Sequence, residues 1–491
     1  MKSNVDQLVS AMFAVCALGA SSYALAFDSG STGADGAFNP IVNTEVQLPP
    51  TGILNYTTIN IPSGVTVTFK KNAANTPVYL LASGNVTISG LIDIRGENSP
   101  FVGTAADGNL LDDGLPGKGG PGGFAGGRGG QDGRNTTRGP GGNGLGPGGG
   151  AGGDAPPGTS CTASSLLHEL GTAGAYANDI RPYSAANCGS IVTAMSSAYG
   201  SALLQPLIGG SGGGGGYGGT ELTGSGGGGG GGAMLIASSI TITFNGEIYA
   251  DGGQAGTCVG TGCGGPGAGG SGGAVRLVAT TLTGSGHIYA RGVTSGYYYY
   301  SSDGRIRLEA DYLTFAGSTS PVRTFSTPNP LFITNGPTLQ IASVAGQVLT
   351  ATPTGKGDVS LPESTTGPVD VVFATANVPV GTIVKLRIVP VYSAVIDVSP
   401  VAITGSSAAG TATVSVTLPQ GTSTLQATAV YTVTLAAAES QNLVQYAQNE
   451  VVEKVQLTVA SQGGTLAKLI TASGKAYDIS YEALRASGFR G

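Results

Sequence analysis

Residues 233–252, AMLIASSITITFNGEIYADG, contain the pattern on which the fold assignment rests. Apolar and polar residues alternate through most of the stretch, Gly246 interrupts it, and Gly252 closes it. Alternation with a period of two is typical of a β-strand that buries one face. The stretch therefore predicts a strand, a glycine turn and a second strand.

The same pattern recurs at three other places in the chain. The copies are residues 77–96 (PVYLLASGNVTISGLIDIRG), 274–292 (AVRLVATTLTGSGHIYARG) and a shortened 305–317 (RIRLEADYLTFAG). Each copy has an alanine towards the end of its first strand, at Ala82, Ala237, Ala279 and Ala310. Repeats of this length bury their apolar faces by stacking on one another. The repeats therefore predict an all-β fold that begins with a parallel β-helix.

Changes in composition along the chain predict three parts after the N-terminal segment. The β-helix is expected over residues 27–325, with glycine-rich insertions at about 97–232 and 253–273. Short strands rich in Val and Thr, spaced by about ten residues, predict an immunoglobulin-like β-sandwich at 331–434. Residues 435–491 predict a short helix and a β-hairpin tail.

Two resemblances extend this interpretation. In its short strands, glycine turns and repeat length, the chain resembles the secreted right-handed parallel β-helix proteins of the pectin-lyase-like group. Residues 27–38, FDSGSTGADGAF, are similar to a segment of uncharacterised glycine-rich exported bacterial proteins. Both resemblances imply architecture and export, and neither implies an activity.

Glycine makes up 87 of the 491 residues and is concentrated in tracts at 114–153, 209–232 and 264–273. Two interpretations of these tracts are open. They are either flexible linkers or left-handed helices with three residues per turn, whose backbones pack closely. In the second case the bundle would expose Phe124, Arg128 and Gln131.

The N-terminus indicates export. Residues 1–26 combine Lys2, an apolar run and an Ala-Leu-Ala ending, which is typical of a secretory signal peptide. Its removal would leave four cysteines, an even number that favours disulfides in an exported chain. We expect Cys161 with Cys188 and Cys258 with Cys263, although other pairings are open. The expected location is secreted, extracellular or at the cell surface, with the periplasm as an alternative.

The repeats also predict which side chains face outwards. One column would hold Asp93, Tyr249 and Tyr289, and the next Arg95, Asp251 and Arg291, with Asp251 between two guanidinium groups. The main interpretation is a ladder that fixes strand register. The candidates for catalysis in an enzyme are Asp93, Asp251, His287 and Arg291, and those for stacking on a glycan are Tyr249, Tyr289, Tyr298 and Tyr300.

The composition of the chain excludes several classes of function. With 22 basic and 28 acidic residues, the chain lacks the basic surface that nucleic acids require. Only two histidines are present, so no metal site is expected, and no cofactor motif or membrane-length apolar segment is found. We expect an exported, non-enzymatic adhesin or structural matrix component that binds a surface glycan or itself. The alternative is a polysaccharide-active β-helix enzyme, either a lyase or a glycoside hydrolase.

Overall fold

The computed structural model describes most of the chain after residue 26. The described ranges are 27–100, 114–132, 138–154, 170–180, 196–256, 264–295, 299–332, 336–349, 358–390, 395–421, 423–461 and 464–491. The predicted signal peptide, all four cysteines and Tyr298 lie outside these residues.

The N-terminal part contains short strands and three long ones, joined by turns and glycine-rich segments. Its strands are β1 (Ala37–Phe38), β2 (Thr44–Gln47), β3 (Ile53–Tyr56), β4 (Thr58–Ile61), β5 (Thr66–Lys70), β6 (Val78–Ala82), β7 (Val86–Ile88), β8 (Leu91–Asp93), β9 (Ala233–Phe244), β10 (Glu247–Tyr249), β11 (Ala274–Gly284), β12 (His287–Tyr289), β13 (Thr294–Ser295), β14 (Tyr299–Tyr300), β15 (Arg305–Phe315), β16 (Ser318–Ser320) and β17 (Thr324–Ser326).

Two parallel sheets contain all of these strands except β13 and β14, which pair with each other in an antiparallel sheet. The first has the order β1-β4-β7-β9-β11-β15-β17, with β6 also on β9 and β3 on β6. The second has the order β16-β12-β10-β8-β5-β2. Each long strand of the first sheet is followed along the chain by a strand of the second. The predicted all-β character is confirmed, with parallel pairing throughout both sheets.

Both sheets contribute to one apolar core. In the second sheet Ile92, Ile248 and Ile288 stand in register and are fully buried. They share a core cluster with first-sheet residues such as Ile236 and Leu277. The neighbours of each isoleucine face away from this core, because successive side chains on a strand point to opposite sides.

The alanines of the four copies do not align as the repeat suggests. Ala279 pairs with Ala310 as expected, but both Ala82 and Ala279 pair with Ser238 instead of Ala237. The third copy is one residue shorter than the second before its glycine. A bulge after Ala279 absorbs the difference, so that Thr281 is again opposite Thr241.

The glycine tracts form a hydrogen-bonded bundle in the described residues. Segment 209–218 lies at its centre and exchanges backbone hydrogen bonds with six neighbouring segments. These neighbours are 124–130, 139–145, 150–153, 171–174, 224–232 and 265–271. The partners recur every third residue. This pattern favours the threefold interpretation of the tracts over the linker interpretation.

Gly213 illustrates how the bundle is built. Its N–H donates to the carbonyl of Gly228 at 3.0 Å, and its carbonyl accepts from the N–H of Gly127 at 2.8 Å. A Cβ at this position would lie 2.0 Å from the carbonyl oxygen of Ala268. With three residues per turn, donors and acceptors point in several directions around the segment, and only glycine lets the neighbouring backbones approach this closely.

Three side chains were expected on exposed positions of such a bundle. Arg128 and Gln131 are exposed. Phe124 is half-buried, because its ring packs edge-on against Tyr446 at a centroid distance of 5.5 Å. The C-terminal part of the chain therefore covers this edge of the bundle.

The C-terminal part is antiparallel. Its strands are β18 (Thr338–Val344), β19 (Gln347–Val348), β20 (Val369–Ala376), β21 (Ile383–Pro390), β22 (Ile396–Asp397), β23 (Val401–Ala402), β24 (Thr404–Gly405), β25 (Gly410–Val416), β26 (Ser423–Thr434), β27 (Val452–Ala460), β28 (Gly464–Thr471) and β29 (Ala476–Ser480). The helices are α1 (Ala437–Leu443), a 3₁₀ turn (Val444–Tyr446) and α2 (Tyr481–Ala486).

These strands form two sheets that share a core. One sheet has the order β19-β18-β20-β25-β24, and the other has the order β22-β21-β26-β27-β28-β29, with β23 also on β21. Phe373 of the first sheet and Leu386 of the second are buried in the same cluster, as in a β-sandwich. The last three strands extend the second sheet, so β27, β28 and β29 belong to the same layer as β21 and β26.

The antiparallel part packs on the outer face of the first parallel sheet. Tyr79, Leu81 and Leu235 face away from the parallel core, yet they are buried in one cluster with Leu457 and Leu469. The first halves of the long strands are therefore covered on both faces, whereas outward residues of their second halves, such as Tyr312, stay exposed. The second parallel sheet keeps an outer face that is partly open to solvent.

Candidate functional site

The partly open face of the second parallel sheet carries most of the residues that the sequence singles out. Asp93 stands opposite Tyr249, and Tyr249 stands opposite Tyr289. The next outward residues along the chain are Arg95, Asp251 and Arg291. We call these six side chains the outer ladder.

Each carboxylate of the outer ladder has its own arginine. Arg95 donates to both oxygens of Asp93, from Nη2 at 2.6 Å and from Nε at 3.0 Å. Arg291 donates to both oxygens of Asp251, at 2.8 and 3.2 Å, and its backbone N–H adds a third bond at 2.7 Å. These hydrogen bonds raise the pKa of Arg95 and of Arg291.

This pairing differs from the expected one. Asp251 was expected between two guanidinium groups, but it forms its ion pair with Arg291, and Arg95 turns back to Asp93 on its own turn. A carboxylate two residues before an arginine lies on the same face of the chain as that arginine. It can therefore compete with the carboxylate of the adjacent strand for the guanidinium group. The net charge of the two pairs remains zero.

The arginines also cover the tyrosine rings. The guanidinium carbon of Arg95 lies 5.0 Å from the ring centroid of Tyr249, and that of Arg291 lies 4.4 Å from the centroid of Tyr289. The two rings are 5.2 Å apart and inclined by 34°. Cation–π contacts of this kind hold the aromatic column in a fixed orientation.

Tyr249 has an additional polar contact. Its hydroxyl donates to Oε2 of Glu247 at 2.8 Å, and this hydrogen bond raises the pKa of Tyr249. The phenol is thereby held as a neutral hydrogen-bond donor.

His287 occupies the neighbouring row of the same sheet. It stands between Glu247 and Ser318 in register, is exposed, and places its Nδ1 2.7 Å from the hydroxyl oxygen of Ser318. The four catalytic candidates therefore lie on strands of one sheet, as Asp93 and His287 do, or two residues beyond them, as Asp251 and Arg291 do. However, both aspartates among them are engaged by arginines, and the histidine is paired with a hydroxyl group.

A cleft of about 840 Å³ adjoins the outer ladder. Asp93, Arg95 and Asp251 line it on the side of the sheet, and Lys118 and Gly119 line it on the side of the glycine bundle. The cleft thus brings together charges from the repeats and from the first glycine tract.

The lysines of this cleft were not among the predicted site residues. Lys71 donates from Nζ to the carbonyls of Gly119 and Gly123, at 3.1 and 3.2 Å. Burial lowers the pKa of Lys71 to about 8, although nearby Glu97 opposes the shift. The sequence feature that could have indicated Lys71 is the Lys70-Lys71 pair at the end of β5, because the chain has few basic residues.

The other predicted aromatic residues are placed differently. Tyr300 is 76% exposed and belongs to β14, which pairs with β13 in a separate two-stranded sheet. It does not continue the outer ladder. Of the four tyrosines proposed for glycan stacking, the structure brings together Tyr249 and Tyr289.

Within the described ranges no group of three or more His, Cys, Asp or Glu side chains is arranged to hold a metal ion. In the same part of the chain, no helix combines the length and the apolar character needed to span a bilayer.

Comparison with known proteins does not assign the chain to a family. The chain matches no family model, no curated protein and no solved structure.

Proposed function

We propose that the two parallel sheets are faces of one parallel β-helix. The in-register strands and the shared core support this arrangement. In it the glycine segments are insertions that pack beside the coil, and the antiparallel part is a sandwich docked on one of its faces.

We further propose that the protein is an exported, non-enzymatic component of the cell surface or extracellular matrix, and that its outer ladder binds a glycan. The observation that carries this proposal is the pairing within the ladder. Both carboxylates are held by arginines, whereas the hydrolysis of a glycosidic bond needs a protonated acid and a second free carboxylate. The tyrosine rings of the ladder are amphipathic and regularly spaced, and its guanidinium groups are half-exposed. Both features are suited to sugar binding.

Export is proposed from the sequence. The apolar segment at 1–26 has the form of a signal peptide, and the even number of four further cysteines favours an oxidising compartment. An adhesin and a matrix component both remain consistent with a rigid coil that displays an ordered face.

A polysaccharide-active enzyme is the second candidate. The cleft beside Asp93 and Asp251 favours it, because Lys71 in the cleft has a pKa of about 8 and can lose its proton in mildly alkaline solution. In a lyase, such an amine would act as a base on an acidic polysaccharide.

One experiment separates the two candidates. The chain from residue 27 onward is incubated with immobilised acidic and neutral polysaccharides, and both retention and new reducing or unsaturated ends are measured. We expect retention without new ends. Tyr289→Ala should weaken retention at least tenfold, whereas Tyr312→Ala, an exposed tyrosine on β15 outside the ladder, should leave it unchanged.

Two results would overturn the proposal. Turnover that disappears in Asp251→Ala or Lys71→Met would establish the enzyme instead. Retention that Tyr289→Ala leaves intact would remove the outer ladder as the binding face.

A further inference from the structure

The second halves of the long strands carry threonines on their outer face. Ile242 and Leu282 in these halves are buried in the parallel core. Their neighbours Thr243 and Thr283 point to the opposite side, because successive side chains on a strand alternate. These threonines are partly exposed, unlike the first halves of the same strands, on which the antiparallel part packs.

The outward side chains form two columns that run across the strands, with each residue directly opposite the next in the strand pairing. The first, which we call the threonine column, consists of Asn60, Thr87, Thr243, Thr283 and Thr314. The column beside it contains Thr241, Thr281 and Tyr312. Since neighbouring strands lie about 4.8 Å apart, the threonines repeat at that spacing.

The repeats in the sequence do not reveal this column. Thr243 lies six residues after Ala237, whereas Thr283 lies four residues after Ala279. An alignment of the copies on their alanines therefore separates the two threonines. They meet only in the register of the folded strands.

The two columns form a grid of hydroxyl and methyl groups. Outward residues on one strand are roughly 6.6 Å apart, twice the rise per residue. Threonine is restricted at χ1 because it is branched at Cβ, so its hydroxyl and methyl groups hold fixed positions. In the described part of the chain, the hydroxyls of Thr243 and Thr283 have no hydrogen-bond partner in the protein. Each can therefore donate one hydrogen bond and accept two from a partner outside it.

The chemistry of the grid disfavours most macromolecular partners. Every residue of the two columns is uncharged, whereas phosphate and carboxylate groups are bound by arginine or lysine. Stacking on sugar rings needs aromatic side chains, and Tyr312 at the end of the second column is the one aromatic residue among them. The centres of protein interfaces are enriched in aromatic residues, methionine and arginine, and the grid is mostly threonine.

We propose that the threonine column and the column beside it bind the surface of ice crystals. Ice presents a regular lattice of uncharged oxygen atoms that both donate and accept hydrogen bonds, and its repeat in one direction is close to the strand spacing. A fixed grid of threonine hydroxyls matches such a surface in chemistry and in periodicity. This face is separate from the outer ladder, so the inference does not depend on glycan binding.

The test uses the chain from residue 27 onward and the variant Thr243→Lys. Ice is grown slowly on a cold surface from a dilute stirred solution, and the protein in the ice and in the remaining liquid is measured by amino-acid analysis. We expect the unmodified chain to be enriched in the ice, whereas serum albumin stays in the liquid. Thr243→Lys places a long charged side chain in the middle of the column and should lose this enrichment.

Controls distinguish the threonine column from other parts of the protein. Thr413→Lys makes the same change at an exposed threonine of β25 in the antiparallel part and should leave the enrichment unchanged. Tyr289→Ala should also remain enriched in ice, although it weakens retention on glycans. Thr283→Lys replaces Thr243→Lys if circular dichroism shows that the latter is unfolded.

Two results would contradict the inference. The first is an unmodified chain that stays in the liquid like serum albumin, and the second is a folded Thr243→Lys variant that enters ice as the unmodified chain does. Retention on crystalline cellulose or chitin that Thr243→Lys abolishes, without enrichment in ice, would assign the face to a polysaccharide instead. Exclusion from ice together with glycan binding through Tyr289 would contradict ice binding alone and leave the proposed function standing.

Discussion

The buried carboxylate of Glu309 is held by partners both near to it and distant from it in sequence. Glu309 is fully buried on β15 and accepts hydrogen bonds from Arg276 on β11 and from Arg307, two residues before it. The backbone N–H of Asn329 adds a further bond at 2.6 Å. Since Arg276 also donates to the carbonyls of Pro330 and nearby residues, this network fixes the chain where it leaves the parallel sheets.

Lys71 provides a pH test at the scale of a single residue. Its pKa of about 8 in the folded protein lies below its ordinary value near 10.5, so burial of the charged amine opposes folding. The penalty is fully present below pH 8 and is relieved as the pH rises from 8 towards 10.5, because the unfolded chain then binds more protons.

We expect the free energy of unfolding, relative to Lys71→Met, to rise by about 2 kcal/mol from about pH 7.5 to about pH 9.5. Urea unfolding of both proteins at each pH measures this difference. Between about pH 5.5 and about pH 6.5 the difference should be constant, which serves as an internal control. A difference that stays flat up to about pH 9.5 would show that the amine is solvated in the folded state.

The outer ladder shows what single residues in the sequence can and cannot reveal. The column of Asp93, Tyr249 and Tyr289 follows from period-two alternation, and the strand register agrees with it. The pairing of Arg95 with Asp93 does not follow from the alternation. An arginine side chain is long enough to reach a carboxylate on its own turn or on the adjacent strand, and only the geometry of the folded chain decides between them. Lys71 was missed because it lies outside the repeat and acts through carbonyls of a glycine tract.

At the scale of elements, the glycine tracts carry the largest departure from ordinary secondary structure. Segment 209–218 contacts six other segments through backbone hydrogen bonds, without forming a helix or a sheet. Composition alone left a linker and a threefold bundle equally open. Partner segments such as 171–174 and 265–271 are far apart in sequence, so hydrogen bonding between them could not be read from the tracts themselves.

A glycine-to-alanine pair tests the bundle. Gly213→Ala should destabilise the protein by on the order of 3 kcal/mol, because the added methyl carbon would meet the carbonyl of Ala268 at 2.0 Å. Gly367→Ala is the matched control, since a Cβ there meets nothing within 4 Å, and its effect should stay within about 0.5 kcal/mol. Denaturation midpoints report both effects.

Equal midpoints for the two variants would contradict a packed bundle. The tracts would then behave as solvated linkers, as the first interpretation of the sequence held.

Register is another property of elements that sequence spacing only approximates. The four copies were aligned on their alanines, but Ala279 pairs with Ser238, one residue beyond Ala237, so Ala237 faces away from the core that contains Ala279. A slip of this size reverses which side chains face the core. The bulge after Ala279 limits the effect, so Leu282 still faces Ile242 inside the core.

At the scale of the whole molecule, the two parallel sheets have different surroundings: the antiparallel part packs on the first, and the outer face of the second is partly open to solvent. The run Val78–Ala82 is apolar without alternation, a pattern typical of strands that are buried on both faces. That run marks the sheet on which the antiparallel part docks. The short strands of the second sheet alternate, and their outer face carries the ladder and the cleft. The identity of the docked element was not predictable, because any apolar surface satisfies the same pattern.

The central claim is that this chain is an exported surface or matrix protein that displays its ladder outside the cell. An antibody against the chain from residue 27 onward tests it on cells that produce the protein, with and without permeabilisation of the envelope. The account predicts labelling of intact cells or antigen in the medium. Labelling that appears only after permeabilisation, with no antigen outside the cells, would contradict it.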